Sequence, residues 1–130
     1  MLEVKALLFD VFGTVVDWRT GVAKDVKKIA KKYNIKLNAD NFADAWRAEY
    51  QPSMEEIRNE NRQFTILDIL HLENLKKITP RFNLNNLSSA DLNFLVTSWH
   101  RLPGWPDSSE GLRKLKKKFI LAAQSNGNIA

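Results

Sequence analysis

The chain opens on the apolar run Val4-Lys5-Ala6-Leu7-Leu8-Phe9, which ends on a single acid, Asp10, and a turn, Val11-Phe12-Gly13-Thr14. A short apolar run without alternation predicts one strand of a sheet covered on both faces. The period then changes. Val22, Val26, Ile29, Ala30 and Tyr33 recur at helical spacing between Lys24, Lys27, Lys28, Lys31 and Lys32, and predict an amphipathic helix over 22–33. A polar break over 34–40 offers Asn38 or Asp40 as the next cap. Phe42, Ala45, Trp46 and Tyr50 continue a helical stripe that Pro52 should end or kink. Further helical segments are expected over 53–62 and from Thr65, where Asp68 stands three residues on and Ile66, Ile69, Leu70 and Leu75 supply the apolar face.

Residues 80–86 read as a loop. Ser88 then reads as an N-cap with Asp91 at the third helical position and Leu87 and Leu92 as a hydrophobic staple; Leu92, Leu95, Val96 and Trp99 form the buried stripe. Two prolines and a glycine break the chain over 102–106. Asp107 and Glu110 pair as a capping box for a short helix ending near Lys117, and Phe119-Ile120-Leu121-Ala122-Ala123 forms a second apolar strand that runs into Gln124-Ser125-Asn126-Gly127.

Two strands enclosing a long helical stretch imply an α/β fold with a helical insertion. Such sheets usually hold about five or six strands. The expectation is therefore an incomplete doubly wound core at the front of a longer protein, or one completed by strands from another chain. Residues 1–15 would form the first core strand and its loop, 16–103 the helical insertion, and 104–130 a core helix and the second strand.

Composition narrows the function classes. The 130 residues fit one domain, and no cysteine is present, which excludes disulfides, thiolate metal sites and cysteine catalysis and fits the cytoplasm. His71 and His100 are the only histidines, too few for a multi-histidine metal site. No run of 18 apolar residues offers a membrane span, and the N-terminus lacks the basic start of a signal peptide. The net charge of +5 lies on Lys24–Lys32 and on Arg113, Lys114, Lys116, Lys117 and Lys118. Both clusters sit beside helical periodicity without a nucleic-acid motif, so they read as solvated helix faces; a non-catalytic helical module using them is the competing reading.

The chemistry gathers at the strand ends. In α/β sheets ligands bind beyond the carboxyl ends of the strands, where Asp10 and Ser125-Asn126-Gly127 both fall. Neighbouring strands would set a carboxylate opposite a hydroxyl, an amide and a glycine turn, although Asp10 alone reads equally as a turn residue. Leu7-Leu8-Phe9-Asp10-Val11-Phe12-Gly13-Thr14 with the downstream Ser125-Asn126-Gly127 resembles the first two motifs of the haloacid dehalogenase superfamily. The stretches Asp10 to Arg19, Ala45-Trp46-Arg47 and Trp99 to Pro106 resemble its type II 2-haloacid dehalogenases.

The resemblance implies a Rossmann-like core with a helical cap, and a small 2-haloacid as substrate. It makes Asp10 a nucleophile that displaces halide from C2 of the substrate, leaving an ester that water hydrolyses. Thr14 would orient Asp10. The backbone of Val11 and Phe12, with Ser125 and Asn126, would hold the substrate carboxylate. Arg47, otherwise a surface arginine beside a buried Trp46, would meet the halide with help from Asn126. Removing such a donor typically raises the barrier by about 3–4 kcal/mol. Trp46, Trp99 and Trp105 read as packing that could also wall the site.

Superfamily phosphatases resemble Asp-x-Asp-Gly-Thr, with a second carboxylate where Phe12 stands. A departing halide needs no proton, so no metal or other cofactor is expected. Phosphonate-cleaving relatives share the missing acid, and a magnesium-dependent phosphohydrolase is the alternative within the superfamily. The later lysine and acidic motifs are absent, so the longer parent would be the dehalogenase and the 130-residue chain alone weakly active or inactive. Relatives are often homodimers.

Overall fold

The computed structural model describes residues 3–127; the first two and last three positions of the terminal segments delimited above lie outside them. Strand β1 (Ala6–Phe9) and strand β2 (Ile120–Ala123) are parallel neighbours, in register Ala6 with Ile120 through Phe9 with Ala123. Lys5 O accepts from Ile120 N at 2.9 Å, and Phe9 O accepts from Gln124 N at 2.7 Å. The two strand tips are therefore level, and Asp10 and Gln124 leave the sheet together. Both strands are shorter than the apolar runs that encode them. The expected cover on both faces is missing among the described residues: Leu8 is 64% exposed and Ile120 69%. Two strands provide only part of an α/β core.

Between the strands lie α1 (Trp18–Lys32), α2 (Ala39–Ala48), α3 (Tyr50–Arg58), α4 (Leu67–Ile78), α5 (Ser89–Val96) and α6 (Ser108–Leu115). Val22, Val26, Phe42, Trp46, Leu75 and Leu95 are almost wholly buried and belong to one cluster formed by α1, α2, α4 and α5. Helix α1 starts earlier than its apolar stripe because Asp17 caps it, Oδ1 accepting from Thr20 N at 3.0 Å. Gly21 lets this helix pass the 102–103 crossing: a Cβ there would stand 2.7 Å from Pro103 Cδ.

Several local readings change. Asn38, rather than Asp40, caps α2, accepting from Asn41 N at 3.0 Å. The break after α2 falls at Glu49, and Pro52 occupies the first turn of α3, where its missing N–H has no intrahelical partner to lose. Thr65 does not cap α4; its hydroxyl accepts from Arg62 Nε and donates to Gln63 O. Arg62 is held in turn by two bonds to Glu73. The expected loop after Ile78 begins as a 3-10 turn, Thr79–Phe82, ended by Asn83 at φ 60. Asp107 makes no capping hydrogen bond, and Glu110 pairs instead with Lys114.

Ser88 caps α5 as read, its Oγ accepting from Asp91 N at 3.1 Å. Asp91 does more than follow the cap. Its carboxylate accepts from Lys32 Nζ at 2.7 Å, Ser88 Oγ at 2.6 Å and Tyr33 OH at 2.6 Å. The Lys32 bond first, then the two hydroxyls, hold this acid well below the usual carboxylate range. Lys28 similarly pairs with Asp25, which also receives Arg101. The basic face of α1 is thus partly engaged within the fold.

Candidate active site

The nucleophile loop is built by its backbone. Val11 O accepts from the N–H groups of Thr14, Val15 and Val16, folding the turn tightly, and Gly13 takes φ +95, which side-chained residues resist. Trp105 Nε1 donates to Gly13 O at 3.1 Å and Ser108 Oγ to Val15 O at 2.6 Å, so the start of α6 braces the loop from behind. Thr14 Oγ1 donates to Asp10 Oδ2 at 2.8 Å. That bond fixes the carboxylate plane and leaves Oδ1 without a hydrogen bond among the described residues. The N–H groups of Val11 and Phe12 likewise find no backbone acceptor among the described residues.

A cavity of about 170 Å³ opens before Asp10, bringing together Asp10, Phe12, Arg47, Ser125 and Asn126 from the expected set. Thr14 reaches it only through Asp10, and the Val11 side chain lies in neighbouring hollows, away from it. The remaining wall is Tyr50, Leu67, His71 and Trp99. Trp105 serves the loop rather than this wall, and Trp46 is core. The second loop lies close to the first: Gly127 N donates to Ser125 Oγ at 3.0 Å, and a Cβ on Gly127 would stand 3.2 Å from the Phe12 ring.

Asp10, Ser125 and Asn126 are exposed, whereas Leu67, His71 and Trp99 of the helical wall are buried. His71 is buried with its ring stacked on Trp99, 4.6 Å between centroids and 3° apart. Burial above all pushes its pKa down to about 4; the Arg47 and His100 charges act in the same direction and Asp68 against it. His71 is therefore neutral at pH 7. Trp46 Nε1 fixes the local backbone by donating to His71 O at 3.0 Å.

Tyr50 and His71 were not legible as site residues. Leu67 and His71 share one face of α4 at i, i+4 spacing, and Arg47 and Tyr50 stand three positions apart on either side of the break at Glu49. Those spacings were visible, but nothing local distinguishes them from ordinary packing. Asp10 is the only carboxylate lining the cavity, and no group of three or more metal-ligating side chains forms among the described residues.

No protein-family model matches the chain, and no curated protein matches it. Solved structures do. The defluorinating L-2-haloacid dehalogenase Rha0230 is 47% identical with a TM-score of 0.91, over 97% of this chain and 52% of that one. The L-2-haloacid dehalogenase PA0810 is 38% identical with a TM-score of 0.87, over 98% of this chain and 54% of that one. The L-2-haloacid dehalogenase from Xanthobacter autotrophicus shares the fold at 21% identity, with a TM-score of 0.77, over 98% of this chain and 48% of its own. The chain spans about half the length of these structures.

A parallel strand pair with a loop acid at one tip, a Ser-Asn-Gly turn at the other and helices between them defines an α/β protein of the haloacid dehalogenase superfamily, and the chain belongs to it. Within that superfamily its similarity is to the L-2-haloacid dehalogenases.

Proposed function

We propose that the protein containing this chain is a hydrolytic dehalogenase of 2-haloalkanoic acids that works through an ester on Asp10. The single observation that carries this reading is Asp10 facing a cavity shared with Arg47, its Oδ2 held by Thr14, while Arg47 has no acid partner and Oδ1 no hydrogen bond among the described residues. Oδ1 attacks C2 of the substrate; the C–halogen bond breaks, and its electron pair leaves with the halide. C2 inverts. Water then adds to the Asp10 carbonyl carbon, releasing the 2-hydroxy acid, a proton and the regenerated carboxylate. A carboxylate is a weak nucleophile, so alignment and exclusion of water matter most. Phe12, Leu67 and Trp99 supply the dry wall.

The substrate carboxylate would rest on the free N–H groups of Val11 and Phe12 and on Ser125 and Asn126. Arg47 would face the departing halide, with Asn126 beside it. A cavity of about 170 Å³ suits an acid of a few carbons. In this reading the helices of 16–103 act as the cap over a core formed by 1–15 and 104–130.

The test is halide release from 2-chloropropionate by the protein expressed from its full native reading frame. Asp10→Asn is expected to lower turnover by at least about a thousandfold, as loss of a covalent nucleophile should. In a single turnover in ¹⁸O-water, the label should enter the Asp10 carboxylate. Full turnover in the Asn variant would remove Asp10 from the mechanism, and EDTA-sensitive phosphate release in its place would favour the phosphohydrolase alternative.

A further inference from the structure

Tyr50 is the cavity residue that touches both sides of the site. It begins α3 three residues after Arg47, and the Arg47 guanidinium lies over its ring, 4.5 Å from the centroid. At the other end, its hydroxyl accepts from Asn126 Nδ2 at 2.9 Å, across 76 positions of sequence. Ring and hydroxyl therefore act on the two side chains expected to meet the leaving group.

The chemistry of the two contacts suits that task. Arg47 has no carboxylate partner among the described residues. An acid would orient the guanidinium but neutralise it and compete with an incoming anion. An aromatic face orients it and leaves the full charge available. The Asn126 amide has two N–H groups; one is committed to Tyr50 and the other is free for a ligand. Because the Tyr50 oxygen accepts in that bond, its own proton also stays free to donate.

We infer that Tyr50 is a positioning residue for the leaving-group end of the site: its ring sets Arg47 and its hydroxyl sets Asn126, so that one anion meets both donors. This rests on the dehalogenase reading. It predicts a loss concentrated in the transition state, where charge on the halide develops, and little loss in ground-state binding of the substrate carboxylate, which keeps the backbone of Val11 and Phe12 and Ser125.

Tyr50→Phe keeps the ring and removes the acceptor, whereas Tyr50→Leu removes both. In the full-length protein acting on 2-chloropropionate, the Phe variant should lose about fivefold in kcat, the size of one hydrogen bond. The Leu variant should lose about thirtyfold, that bond together with the cation–π contact. KM should stay within about twofold in both. In ¹H–¹⁵N spectra the Asn126 side-chain amide should shift in both variants and the Arg47 Nε signal in the Leu variant alone.

An unchanged kcat in Tyr50→Leu, or a loss confined to KM, would overturn the inference. If the wild-type protein releases no halide, the dehalogenase reading fails and the spectra decide the positioning role by themselves. Shifted Asn126 and Arg47 signals then uphold the setting of both side chains by Tyr50, and unmoved ones overturn it.

Discussion

The helical block and the strand pair obey different rules. Every buried apolar residue among the described ones lies between Val22 and Trp99, and none comes from either strand. The helices bury Phe42, Trp46, Leu70 and Leu75 almost completely, while the sheet leaves Leu8 and Ile120 open. Yet the proposed nucleophile and its companion amide stand on the strand tips. Among the described residues, apolar burial is concentrated in the helices, while the proposed nucleophile stands on the sheet. The cavity lies where they meet, with a dry wall from the helices and an exposed carboxylate from the sheet.

The largest test of that contrast is Trp46→Ala. Trp46 is 1% exposed, and truncating a buried aromatic costs about 3–5 kcal/mol. Urea unfolding should register that loss directly; a change below about 1 kcal/mol would mean the helices do not share one core.

Acid should come next. His71 is held neutral in the fold, with its pKa at about 4, while the unfolded chain binds a proton near the ordinary value of about 6.5. The unfolded state thus carries more protons between those values. This contribution to stability is intact above about pH 6.5 and falls as pH is lowered, by about 3 kcal/mol at pH 4. His71→Gln should flatten that slope in unfolding curves taken from pH 7 to pH 4. Asp91 adds a second loss at still lower pH: its depressed carboxyl stabilises the fold above the ordinary aspartate range and ceases to do so as it protonates.

Smaller effects belong to the sheet and the surface. Leu8→Ser should change stability by less than about 0.5 kcal/mol, because the side chain is already open to solvent. A large loss would show that this face is covered in solution. Smallest of all is Arg19→Ala. Arg19 makes two bonds of 2.7 Å to Asp44, but both side chains are about half exposed, and the melting midpoint in physiological salt should not move measurably.

Much of this molecule was legible along the chain wherever a signal is satisfied within a few residues. Ser88 caps the helix that follows it, the stripes of α1 and α2 face inward, Gly13 takes the left-handed turn, and the apolar runs before Asp10 and Ser125 become strands. Local cues misled where a neighbouring contact or the position within a helix took precedence over them. Thr65 had the spacing of a cap, but Arg62 and the Gln63 carbonyl claim its hydroxyl. Pro52 had the look of a breaker, yet it sits in the first helical turn, where proline costs little.

By itself the amino-acid order determined the helical periods, the caps and turns, and an acid and an amide each placed just after an apolar run. These follow from backbone geometry, which repeats every few residues. Only the tertiary structure decided that the two tips are level, that Lys32 and Tyr33 close on Asp91, and that Tyr50 joins Arg47 to Asn126. The side-chain contacts among these link groups up to 76 positions apart, and a side chain carries no mark of a partner that only packing brings within reach.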